Sequence, residues 1–275
     1  MLFREGKRAM NYLRVYRRFV ITYMKGKLEY NMSLAFELIA NTILISVFFS
    51  GFFVIFYNFD SIGGWNKYET LFMMTSSWLT YSVSCFFFWS PMKDMGELVR
   101  TGKLDLYLCR PISPMVYLIL EQFQYTFIPR LTLALVFWII SIKKIAIVWN
   151  PVAIFYYAIS MVSAFVIYSS ITVITGSISF WAIKSEAIVS LLTNNNYGLK
   201  NFSDYPISIY GEGTATFLTF VIPYALTGYY PIAHLLGKEV PFPVAVYISP
   251  LVALFIAAIS LVLWHMGLRR YESAS

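Results

Sequence analysis

Apolar residues gather along the chain in six long runs: Leu34 to Tyr57, Thr70 to Trp89, Met115 to Ile142, Val152 to Ile183, Thr214 to Leu236 and Val244 to Met266. Each reaches the roughly 20 residues that a helix needs to cross a bilayer core, and all six read as helices. The third and fourth are longer than a bilayer requires, which predicts tilting, kinking or extension into the interface, with Pro129 as one kink point. No internal repeat, low-complexity stretch or dividing linker separates the runs, so residues 1–275 read as one domain.

The stretch ahead of the first run follows a different pattern. Lys7, Asn11, Arg14, Arg18, Thr22 and Lys25 recur at spacings of three and four, while Met10, Leu13, Phe19, Val20, Tyr23 and Met24 occupy much of the remaining circumference. Residues 1–31 therefore read as an amphipathic helix lying in the headgroup layer with its cations toward anionic lipid, the alternative being a merely basic, partly ordered tail that helps set topology. A cleavable leader is not expected, because the first apolar run begins only at Leu34 and is long enough to be retained as a span.

Composition sharpens the class. Hydrophobic residues make up 59% of the 275 and charged residues 13%, against roughly 45–50% and about 25% in an ordinary soluble domain. An apolar surplus of that size must face lipid. The expected fold is an all-α integral membrane protein, with six transmembrane helices preceded by an N-terminal amphipathic interfacial helix.

The formal net charge is +7, and its distribution sets orientation. Most Lys and Arg fall in the N-terminal segment, between Lys93 and Arg110, at Lys184 and Lys200, and at Arg269 and Arg270; the alternate loops hold only Lys67, Lys143, Lys144 and Lys238. By the positive-inside rule both termini are expected in the cytoplasm, and the basic excess requires no nucleic-acid partner. Cys85 lies in an apolar run and Cys109 in a basic loop, which is neither a disulfide framework nor a zinc motif.

The first loop on the basic side, residues 90–114, reads SPMKDMGELVRTGKLDLYLCRPISP and is too long to be only a turn. Lys93, Asp94, Glu97 and Arg100 fall at helical spacing, Gly102 is placed to stop that helix in a left-handed conformation, and Pro111 and Pro114 frame the entry to the third span. Such a helix, hung below two spans, acts either as a lever or as an ordinary solvated loop. Gly96, Gly102 and Lys103 fall short of a nucleotide-binding loop, since five residues separate the glycines and Leu104 follows the lysine where Ser or Thr must hold Mg²⁺. ATP-driven work would require another polypeptide.

Within the spans, Glu37, Glu121, Arg130 and His265 are costly unless paired or wet. Glu37, Glu121 and His265 lie near helix ends and read as interfacial. Arg130 lies nine positions from Glu121, about two and a half turns, so the two point to opposite faces of a regular helix. Arg130 is either a structural partner of a neighbouring span or part of a pathway. In the fifth run, Pro223, Gly228 and Pro231 interrupt the helix and Tyr229 and Tyr230 suit an outer interface, leaving a bent or re-entrant gate against a helix end with an aromatic belt. A membrane protease is disfavoured, because Asp60, Asp94, Asp105 and Asp204 all read as loop residues and His234 and His265 form no metal motif. A secondary transporter or channel subunit not driven by ATP stays open as the alternative, although the internal repeats it would predict are missing.

The runs RTGKLDLYLCRPISPMVYLIL (Arg100 to Leu120), DYPISIY (Asp204 to Tyr210) and VIPYALTGYYPIAHLLG (Val221 to Gly237), with the RRYESAS tail, resemble the permease subunits of ABC type-2 exporters, in the six-span bacterial branch. Cys109 before the Arg-Pro pair and the Asn194 to Asn196 run depart from that pattern. The resemblance implies a permease in the bacterial plasma (inner) membrane that pairs with a second permease, identical or different, and with cytoplasmic ATPases that bind ATP and Mg²⁺, no cofactor belonging to this chain. Residues 1–31 then become a connecting helix. Lys93, Asp94, Glu97, Arg100, Lys103, Asp105 and Arg110 become the ATPase-coupling residues; Arg130, Glu121 and Glu37 are candidate pathway residues, and Pro223, Gly228, Tyr229, Tyr230 and Pro231 a candidate outer gate.

Overall fold

The computed structural model describes Ile21 and residues 31–110, 112–122, 124–182, 186–194 and 198–271. The expected interfacial helix over 1–31 lies outside the described residues except at Ile21 and Asn31. Among the described residues the fold is helical apart from one two-residue hairpin, Ser61–Ile62 (β1) against Trp65–Asn66 (β2).

Among the described residues, five helices are long and apolar enough to cross a membrane. They are built on α1 (Asn31–Asn58), α2 (Lys67–Lys93), α6 (Ile128–Ile142), α7 (Pro151–Ser177) and α11 (Ala245–Arg270). The shorter helices are α3 (Met95–Arg100), α4 (Asp105–Leu108), α5 (Pro114–Glu121), α8 (Glu186–Thr193), α9 (Glu212–Thr216) and α10 (Tyr229–Leu235). Asn66 and Glu69 form a reciprocal capping box at the start of α2, with Asn66 Oδ1 accepting from Glu69 N and Glu69 Oε2 from Asn66 N.

The span containing α2 has the lowest mean hydropathy of the five, 1.2, and the deepest packing, with 78% of its apolar window buried against 17% for the one on α1. These two facts have one cause. A helix rich in Ser and Thr is poorly matched to lipid but well matched to other helices, which approach small hydroxyls closely and satisfy them. Thr75 Oγ1 donates to Leu71 O at 2.7 Å, and Ser76 and Ser77 share hydrogen bonds with Tyr157 and Tyr168 of α7 at 2.8 and 2.7 Å. The strongly apolar α1 and α11 sit outside, exposing Ile43, Val47, Leu254 and Phe255.

Two expected spans are not single helices. The third breaks between α5 and α6, where Gln122 and Gln124 adopt extended ψ values of 91° and 81°. The break is not at Pro129. That proline stands in the first turn of α6, where a missing N–H costs no intrahelical bond.

The expected fifth span, Thr214 to Leu236, is a hairpin. The crossing from the Lys93 end of α2 to its Lys67 end is made instead by 186–194 and 198–209: α8 starts it, a 3-10 turn over Leu199–Asp204 lies beside the middle of α2, and Ser208 and Ile209 abut Gly63 in the β1–β2 turn. The chain then dips inward through α9 and a π turn over Phe217–Val221, reverses at Ile222 and Pro223 (ψ 91° and 50°), and climbs back through α10 to Lys238. Lys238 Nζ donates to Gly64 O at 2.9 Å and pairs with Glu69 at 2.9 Å, pinning the hairpin's exit to the β1–β2 turn. Pro223 has no N–H to continue the ladder. Gly228, at φ −148° and ψ −59°, lets the return strand close on Ser77 and Met73.

Candidate coupling surface and intramembrane polar site

Residues 90–110 form a welded unit at the Lys93 end of α2. Met92, Met95, Leu98 and Leu104 are buried in one cluster with Leu118, Val173, Phe180 and Trp264, so α3 is packed against the ends of α5, α7 and α11. Gly102 takes φ +69° and turns the chain out of α3, a conformation that costs about 1–2 kcal/mol for a residue with a Cβ. Gly176 of α7 permits a close approach: a Cβ there would lie 2.7 Å from Met92 Cβ and 3.0 Å from Met92 Cα.

The opposite side of the unit is exposed and charged, presenting Lys93, Asp94, Glu97, Arg100, Lys103 and Arg110. Glu97 and Lys103 lie 3.5 Å apart, and Arg110 stands over the Tyr117 ring at 5.7 Å, which ties α4 to α5. Asp105 is half-buried beside the Tyr271 hydroxyl, which burial and then the Asp105 carboxylate hold above its usual range. Glu121 lies beside Tyr107, whose hydroxyl is pushed up to about 12 by burial first and by that carboxylate second. Leu106 and Leu108 add exposed apolar surface, Leu106 at 68%. Sequence reasoning passed over both leucines; the available signal was their alternation with Asp105 and Tyr107 in a charged loop.

The second polar region lies within the bundle. Lys200 and Asp204 are both fully buried and form an ion pair one helical turn apart, with Lys200 Nζ 5.5 Å from the Trp78 ring and 5.3 Å from the Tyr81 ring. This overturns two expectations, that Lys200 belongs to the basic face and that Asp204 lies in a solvated loop. The i,i+4 spacing of opposite charges, flanked by Tyr and Ile, was the available signal. The Arg130 guanidinium packs over the rings of Trp78, Phe127 and Tyr81 at 5.1, 5.4 and 5.8 Å. The structure does not bring Arg130 to Glu121. Glu37, the third of that set, accepts a hydrogen bond from Tyr125.

Hydroxyls join these elements. Tyr168 Oη shares hydrogen bonds with Ser77 and Thr227, both 2.7 Å, and with Ser203 at 3.4 Å, linking α7, α2, the hairpin and the fifth crossing at one atom. Tyr81 Oη donates to Thr193 O at 2.6 Å and Tyr224 Oη to Leu192 O at 2.7 Å. Tyr229 and Tyr230 are buried, Tyr229 packing on Trp65 and Tyr230 sharing a hydrogen bond with Thr219 at 2.9 Å. They form no aromatic belt at a lipid interface. Pro223 marks the hairpin tip, where an apolar cavity of about 420 Å³ opens between Leu192, Ile222, Val252 and Phe255.

Residues 40–275 match the family described as "ABC-2 family transporter protein". The chain belongs to that family. It is an ABC-2 permease, a multi-pass membrane component that is not itself catalytic. No curated protein and no solved structure matches it. The match begins within α1 and covers both the welded loop and the buried ion pair, so both polar regions are parts of the permease domain.

Proposed function

We propose that this permease forms a substrate pathway with a second permease, identical or different, and exports its cargo at the expense of ATP hydrolysed by separate cytoplasmic ATPases. The observation that carries the reading is the two-sided loop at the Lys93 end of α2. Its inner side is locked into the ends of three helices and its outer side offers mixed charges and two exposed leucines. A force applied to such a unit moves α2, α5, α7 and α11 together rather than bending a loop, which is what rigid-body coupling requires. On this reading α3 is the coupling helix, Leu106 and Leu108 extend its docking face, and the Lys93 end faces the cytoplasm, with both termini, of a bacterial plasma membrane. ATP and Mg²⁺ are bound by the partner. The re-entrant hairpin then lies toward the outside, where its buried tyrosines and the Lys238–Glu69 clamp make it a candidate outer gate. The test is reconstitution of the permease with the ATPase that co-purifies with it. Charge reversal at Arg100 and Glu97 should uncouple hydrolysis from transport while leaving the helical content unchanged. Nucleotide-independent, ion-driven transport by the permease alone would replace this reading with that of a secondary transporter.

A further inference from the structure

The region around Arg130 is not solid. A half-open cavity of about 180 Å³ lies between α1, α2, the break before α6 and the fifth crossing, and it reaches from Tyr81, near the middle of α2, to Trp89, one turn from Lys93. It therefore occupies the half of the bundle nearer the coupling loop. Its polar lining is one guanidinium, Arg130, the amides of Asn41, Gln124 and Asn194, the Thr126 hydroxyl and the Tyr81 phenol; among the described residues no carboxylate lines it. Asp204 is paired with Lys200, and Glu37 accepts a hydrogen bond from Tyr125. Asn41 Nδ2 donates to Glu37 O at 2.8 Å and Gln124 Nε2 to Thr126 Oγ1 at 2.9 Å, and each amide nitrogen carries a second hydrogen.

A guanidinium presents five N–H donors in a rigid fork that matches a phosphate or carboxylate. Away from water its attraction for an oxyanion is much stronger than at a surface. Amide donors around a single cation add hydrogen bonds without cancelling charge, and the volume admits several water-sized groups. We propose that this cavity binds the oxyanion of a phosphate or carboxylate group, held by Arg130 and flanked by Asn41 and Gln124. The site depends only on the fold and stands apart from the ATP-coupling reading. Two sources share this chemistry, an anionic lipid headgroup entering past the apolar outer face of α1 and a free anion entering from the aqueous side.

The test uses the full chain in mild detergent, with phosphatidylglycerol, phosphatidylcholine and inorganic phosphate as separate probes, and reads bound molecules per chain by native mass spectrometry and affinity by calorimetry. The expected result is one anionic molecule per chain, weakened at least tenfold by Arg130→Gln and partly restored by Arg130→Lys, with phosphatidylcholine indifferent to both. Phosphatidylglycerol binding without phosphate binding assigns a headgroup site; the reverse assigns a free-anion site; either supports the proposal. If Arg130→Gln does not fold, Asn41→Leu decides, since it narrows the cavity without removing a charge: a tenfold loss supports the site and unchanged binding overturns it. Binding of both anions that is indifferent to Arg130 also overturns it, and neither outcome bears on whether ATP drives the permease.

Discussion

The buried pair Lys200–Asp204 allows a prediction in which the two partners are unequal. Both side chains are fully buried, and Arg130 is close enough to act on each. Removing one member of a buried pair costs about 3–5 kcal/mol because the other charge is left uncompensated. Asp204→Asn leaves two cations together, so it should fall at the full ~3–5 kcal/mol. Lys200→Met leaves Asp204 with Arg130 as the nearest cation and should cost about half as much, while the double variant Lys200→Met, Asp204→Leu should return to within about 2 kcal/mol of the parent, since apolar replacements of buried pairs are often neutral. The assay is unfolding of the detergent-purified chain read by a thiol-reactive dye at Cys85, which is 1% exposed, in a Cys109→Ser background. Equal losses for the two single variants would refute the part assigned to Arg130. Losses that simply add in the double variant would refute the pairing itself.

Gly176→Ala places a Cβ 2.7 Å from Met92 Cβ; overpacking of this kind costs about 1–3 kcal/mol, so the same assay should show lowered stability, whereas Gly51→Ala, which meets nothing within 4 Å, should not. Ser61→Cys should react with a membrane-impermeant maleimide in intact cells while Cys109, exposed beyond α4, should react only after the cells are opened; labelling of Cys109 in sealed cells would invert the orientation. Tyr168→Phe removes the hydroxyl shared by Ser77, Thr227 and Ser203, and with interhelical hydrogen bonds in membranes averaging roughly 0.6 kcal/mol each, a loss of about 1–2 kcal/mol is expected in the dye assay.

The long apolar runs were legible because lipid demands them, and the stop at Gly102 because a left-handed turn after a short helix favours glycine. What the pattern concealed has a common cause. Hydropathy measures how well a residue suits lipid, and the polar middle of the fifth crossing is buried in protein: Lys200 and Asp204 neutralise one another against Trp78 and Tyr81, and a segment made of α8 and 3-10 turns is supported by α2 and α7 rather than by its own ladder. The hairpin misled in the opposite sense. Thr214 to Leu236 is apolar enough to span, yet Pro223 and Gly228 turn it back, and its buried apolar residues join the core formed with α2 and α7. Of the candidate site residues, the charged face of α3 follows from helical spacing, but the rings around Arg130, Leu106, Leu108 and the Gln124 break depend on how the loop and the third span fold back on their neighbours.

The central claim is that a nucleotide-hydrolysing subunit docks on the outer side of α3 and α4. The most direct measurement is site-specific photocrosslinking from Glu97 and Leu106 in intact cells, with Ser61 at the other end of the bundle as control. Adducts at Glu97 and Leu106, absent at Ser61, whose partner is a soluble protein carrying a Walker A sequence and binding ATP, are the predicted result. Crosslinks from Ser61 to such a protein, or a coupling-loop surface that captures no ATP-binding subunit while the cells still transport, would contradict it.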